Sequence, residues 1–195
     1  MSNSVQLNSA APGQDGGLAG VAVISTPQYQ GSDETWKLAV PVIDYQWASG
    51  WFAGVSNGVG YNFSNRPMFD YGVRLIGNLG RREKRAKILR GMGDIKESAE
   101  VSAFFNYKPL PQIAINHSVS YGAGNDHRGM LFNLEASFSK TIGSRLRAGT
   151  SLGASYANDN YMQSFFGVTR AQAQRTLLPQ YQAKAGLRNM YVSGF

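Results

Sequence analysis

His117 and His127 are the side chains in this sequence whose ordinary pKa lies near neutrality, so base chemistry at pH 7 would fall first to them. His127 follows Asn125 and Asp126 and is the one candidate for a hydrolytic base. Such a base needs a nucleophile and an orienting acid at fixed positions, and the sequence specifies no activated serine or second acid beside it. A solvated loop is therefore the better reading of His127. His117 sits among apolar positions and reads as a neutral ring near an interface. Cysteine is absent, which excludes disulfides, thiolate nucleophiles and thiolate metal sites. No catalytic residue, cofactor-binding residue or metal ligand is assigned, and an enzymatic function ranks last.

Anion chemistry has stronger support. Gly58 with Gly60, and Gly91 with Gly93, have the Gly-x-Gly spacing of phosphate loops, but neither pair lies between a parallel strand and a helix. They read as strand or loop glycines, with Gly58 and Gly60 leaving room in a narrow interior. Arg81, Arg82, Lys84, Arg85, Lys87 and Arg90 crowd one ten-residue stretch opposed by Glu83. That run accounts for most of the net charge of +7. One basic loop on an otherwise balanced chain does not make a nucleic-acid-binding protein, so no nucleic-acid partner is expected.

Charged residues make up 16% of the 195-residue chain and aromatics 12%, a balance that can build a packed domain and does not suit a disordered chain. No stretch approaches the roughly 18–20 apolar residues that a membrane helix requires. Residues 1–16 are rich in Ser, Asn, Gly and Gln and read as a flexible segment ahead of one domain over 17–195.

The elements that must carry these residues follow a period of two. Odd positions from Trp51 to Phe63 are largely apolar, against Gly, Ser and Asn at even ones. The same alternation runs through Phe69–Leu79, Ile113–Tyr121, Met130–Phe138 and Leu146–Tyr156, and more weakly through Gly17–Ser25, Thr35–Trp47, Ser98–Lys108 and Tyr181–Phe195. This gives about nine strands of roughly ten residues, the length of a tilted membrane strand rather than of an ordinary soluble one. Arg74, Glu135, Arg145 and Arg147 fall on the polar parity, and aromatics collect at strand ends. Polar residues facing a lumen, apolar ones facing lipid and aromatic girdles at the ends describe an antiparallel transmembrane β-barrel of the outer membrane. Short connections (Ala48–Gly50, Pro109–Pro111, Ile142–Ser144) contrast with long ones (Gly80–Glu97, Ala157–Gln180). The basic run lies in a long one and has three readings: a solvated loop, which charge runs usually are, a contact for lipopolysaccharide phosphates, or a contact for a partner. Tyr161, Phe165 and Phe166, followed by Arg170 to Arg175, read as a strand exit and a short helix, serving as a cap on the barrel mouth or as a docking surface.

Several connecting stretches resemble the MipA/OmpV family of outer-membrane proteins, named for the MltA-interacting protein. They are Tyr29–Glu34 (YQGSDE), Val40–Tyr45 (VPVIDY), Gly58–Asn62 (GVGYN), Leu89–Ile95 (LRGMGDI), Asn160–Val168 (NYMQSFFGV) and Leu178–Tyr181 (LPQY). Their occurrence in family order across about residues 17–195 carries the resemblance. It implies a protein of the cell outer membrane, without cofactor, that scaffolds a murein transglycosylase and a murein synthase. A small pore with a polar, weakly anion-preferring lumen is the alternative. Family members begin with a signal peptide and continue into further strands, so the resemblance also implies a chain cut at both ends. Alternation still running at the C-terminus predicts an unpaired edge, and hence a barrel that does not close.

Overall fold

The computed structural model describes residues 13–27, 35–142 and 146–194. Within them lie ten strands: β1 (Gly16–Pro27), β2 (Thr35–Gln46), β3 (Trp51–Gly54), β4 (Gly58–Asn62), β5 (Phe69–Asn78), β6 (Ser98–Leu110), β7 (Ile113–Ala123), β8 (Gly129–Ile142), β9 (Leu146–Ala157) and β10 (Gly186–Gly194). Helices α1 (Asp159–Phe166) and α2 (Arg170–Ala173) interrupt the path from β9 to β10. The strands form one antiparallel meander in sequence order, with β1 and β10 as its edges. The expected segment 1–16 lies largely outside the described residues, as do Gly143 and Ser144 of the expected turn Ile142–Ser144, and Arg145.

The alternation determines which face each residue occupies. Along β8, Met130, Phe132, Leu134 and Phe138 are exposed, while Leu131, Asn133, Glu135 and Ser139 are buried. Along β6, Val101 and Phe105 are exposed against buried Glu100, Ser102, Phe104 and Asn106. A flat sheet would leave a whole face open to solvent. Burial of the polar parity to a few percent therefore requires the sheet to curl around it, as an open barrel. No helix among the described residues is long and apolar enough to cross a membrane, which leaves crossing by strands untouched.

Polar groups on the concave face are hydrogen-bonded in ladders across the strands. Asn116 donates to Glu135 (3.2 Å), Tyr191 donates its hydroxyl to the other Glu135 oxygen (2.7 Å), and Ser155 donates to Asn133 (2.6 Å). Lys108 pairs with Asp70 near the short-turn end. Phe52 and Phe104 meet edge-on there with ring centroids 5.8 Å apart. Gly60 and Gly72 make room for them, since a Cβ would stand 2.4 Å from Phe52 Cζ and 2.9 Å from Phe104 Cζ respectively. The expected role of Gly60 is thereby met.

Two readings of the strands need correction. Trp51–Phe63 is not one strand but the hairpin β3–β4, in which Gly54 pairs with Gly58 around Val55, Ser56 and Asn57. Paired residues face the same side. A three-residue loop separates them by an even number of positions, so the period of two passes through the turn unbroken. Gly58, at φ +73°, supplies the left-handed residue that such a loop uses. The last strand does not run from Tyr181. It starts at Gly186, and a bulge between Leu187 and Asn189 moves the exposed positions to Met190 and Val192.

Candidate functional site: the capped mouth and its basic rim

The chain's connections differ by end. At one end the described turns are short: Trp47–Gly50, Phe63–Met68 and Pro111–Gln112. Around it on the convex face runs an aromatic series: Tyr45 with Trp47 (5.0 Å), Trp51 with Tyr61 (5.3 Å), Tyr61 with Phe63 (5.2 Å) and Phe69 with Tyr107 (5.2 Å). At the other end, the loops 79–97 and 158–185 fold onto the mouth of the curled sheet.

α1 is the lid. Asn158 caps it, accepting from the Tyr161 N–H (2.9 Å), and the same side chain accepts from Met130 N–H (2.9 Å) and donates to the Arg128 carbonyl (3.0 Å). Those bonds pin the helix start to the upper edge of β8. One turn later Tyr161 and Phe165 stack at 4.4 Å and bury themselves against Ile95, Ala123, Leu131 and Ala157. Here the concave face changes from polar to apolar, so the lid seals the mouth as a small hydrophobic core. The segment read as a strand exit is thus a helix, and it packs as a cap.

The basic loop is divided by its geometry. Arg81 forms a β-bridge with Ile95 and is buried, its guanidinium donating to the Phe165 carbonyl at the end of α1 (2.8 Å). Burial lowers its pKa from the ordinary arginine value, with Asp94 acting in the opposite sense. It fastens the loop to the lid. Arg82 pairs with Glu97 at 3.1 Å on the surface. Lys84, Arg85, Lys87 and Arg90 remain exposed.

Gly91 and Gly93, both at positive φ, donate their N–H groups to Glu83 at 3.0 Å each. The Gly-x-Gly segment therefore does cradle an anion, and the anion is the chain's own carboxylate. Leu89 and Met92 are buried beneath it. The second loop closes against this one: Gln172, part of the capping box that starts α2, donates to the Met92 carbonyl (2.6 Å). Gly91 packs so closely that a Cβ there would stand 2.7 Å from the Arg175 carbonyl. This contact brings the backbone at Arg175 against Gly91, 84 positions away in the chain. Sequence reading named both segments without joining them, and Gly91 was the one local sign of a close approach.

The remaining candidates fall elsewhere. His127 is exposed at φ +56°, its Nδ1 3.4 Å from the Gly122 carbonyl, while Asp126 accepts from Arg128 N–H. The loop thus satisfies both groups internally instead of aligning them as a pair. His117 lies on the convex face, 6.3 Å from the Phe105 ring. Arg74 is on the concave face, donating to the Asn57 carbonyl (3.4 Å). No cluster of potential metal ligands occurs among the described residues.

No curated protein and no solved structure matches the chain. A family model does match, over residues 19–194, which is nearly all of the curled sheet and both capping loops. The chain belongs to the MltA-interacting protein MipA family.

Proposed function

We propose that this is a non-catalytic barrel of the cell outer membrane that holds murein-remodelling enzymes at that membrane. The observation that carries the proposal is the inverted polarity of the wall: exposed Leu, Val, Phe and Tyr outside, and hydrogen-bonded Asn, Ser, Glu and Arg inside. In water that arrangement would leave a broad apolar surface uncovered, whereas lipid covers it. The concave face is lined by side chains bonded to one another and α1 packs over its mouth, which favours surface contact over transport. The family's name supports a murein transglycosylase as the partner, with a murein synthase joined through it. Because murein lies on the side of the short turns, the aromatic-rimmed end is the face offered to these enzymes.

The test is capture from a Gram-negative envelope extract on the immobilised, detergent-solubilised protein. A murein transglycosylase should be retained, and its absence would count against the scaffold. The small-pore alternative has in its favour Arg74 on the concave face. Steady single-channel conductance in planar bilayers would establish it over the scaffold.

A further inference from the structure

Four acidic residues occupy the two capping loops, and each is turned to an internal partner. Glu83 accepts from Gly91 and Gly93, Asp94 accepts from Glu83 N–H (2.7 Å), Glu97 pairs with Arg82, and Asp159 accepts from Ala185 N–H (2.6 Å). The four carboxylates are outnumbered by the cations of the same loops, and Lys84, Lys87, Arg90 and Arg175 are exposed. Two large apolar side chains stand among these cations and are themselves uncovered: Ile88 at 51% exposure and Leu177 at 104%. A patch evolved only for solvation gains nothing from them. Cations interleaved with exposed aliphatic residues suit a surface that meets phosphate and acyl chain together.

The patch is also held rigid. Buried Leu89 and Met92, the Glu83 clamp and the Gln172–Met92 bond fix one loop, and Arg81 ties it to α1. Little ordering entropy then remains to be lost on binding. Its place is the long-loop end, just beyond the exposed Tyr121, Met130 and Tyr156 of the wall.

We propose that Lys84, Lys87, Arg90 and Arg175, with Ile88 and Leu177, form a site for the phosphorylated glycolipid of the outer leaflet, lipopolysaccharide. The cations take the phosphates of its lipid anchor while the two aliphatic side chains enter the acyl boundary. This rests on the outer-membrane reading above. Arg81 and Arg82 are excluded from the site because one is buried and the other is paired.

The experiment reconstitutes the full chain in phosphatidylcholine vesicles and first records strand circular dichroism and protease protection. Failure at that stage would refute the membrane reading. Folded protein is then titrated with bis-phosphorylated lipid A, dephosphorylated lipid A and inorganic phosphate. The proposal expects the bis-phosphorylated lipid to bind best and dephosphorylation to weaken it strongly. At roughly fivefold per cation, Lys87→Gln, Arg90→Gln and Arg175→Gln together should weaken binding by about a hundredfold. Ile88→Ser with Leu177→Ser should weaken lipid A binding and leave inorganic phosphate unaffected. Arg82→Gln should change nothing. Equal binding of the two lipid A forms, or loss of binding with Arg82→Gln as large as with the triple variant, would overturn the proposal. Inorganic phosphate competing as well as the lipid would reduce the patch to a simple anion site.

Discussion

The middle of the concave face and its mouth close the same space with opposite chemistry. At the level of Glu135, Asn133 and Asn116, the interior is polar and every contact is directional: an amide, a hydroxyl or a carboxylate meets its partner across neighbouring strands. Around Leu131, Ala123 and Ala157 the same strands turn apolar, and Tyr161 and Phe165 fill the space by packing. The difference follows from what each region must hold. Strand to strand, the backbone ladder fixes the geometry, so side-chain hydrogen bonds find their partners in register. A helix laid across strand ends has no ladder to hold it, so apolar burial and a few anchoring bonds must do so.

If that contrast is right, the largest single effect should come from the mouth. Tyr161→Ala should destabilise the cap by about 3–5 kcal/mol, as for other large buried rings. Urea unfolding in detergent should show the loss, with early proteolysis confined to 158–185. Intact protection of that segment would mean the lid is held by something other than its aromatic stack.

The convex face gives the next effect. Leu134 is 43% exposed at mid-wall, and Leu134→Arg should cost about 2–4 kcal/mol in lipid vesicles. On a water-facing surface the same change would stay within about 0.5 kcal/mol. The measured value therefore decides which solvent this face meets.

Arg81→Met removes the link between basic loop and lid. A hydrogen bond to a charged group contributes about 1.5–3 kcal/mol, and loss in that range is expected, with faster amide exchange at the end of α1. An unchanged exchange rate would show that the loop and the lid are independent.

The smallest change tests the polar middle. Tyr191→Phe deletes one hydroxyl bonded to Glu135 while Asn116 still donates to it. About 1.5 kcal/mol should be lost, the lower end for a bond to a charged group because Asn116 still serves the same carboxylate, read from the denaturation midpoint. A loss as large as that of Tyr161→Ala would erase the distinction between the two regions.

How far the fold could be read in advance depended on the kind of signal. Alternation is a local property: Phe132, Leu134 and Phe138 must share a face opposite Asn133 and Glu135 in any strand, so the faces and the membrane-type wall were legible residue by residue. The β3–β4 hairpin was not, because an odd loop preserves parity and hides the turn. The bulge between Leu187 and Asn189 was not legible either, because one inserted residue moves the parity without a local mark. In the basic run the sequence displayed six cations of equal standing, and burial separated Arg81 from the rest.

Short-range pattern and motifs in linear order were enough for the antiparallel all-β class, the inside-out polarity and the family. The folded chain alone decided that Glu83 fills the Gly91–Gly93 cradle, that Arg81 reaches the Phe165 carbonyl, and that the Arg175 backbone packs on Gly91. Those partners come from loops whose meeting depends on how the sheet curls and where α1 seats. No periodicity encodes a contact between segments 84 residues apart. Such contacts arise only when the strands have already placed the loop ends over one mouth.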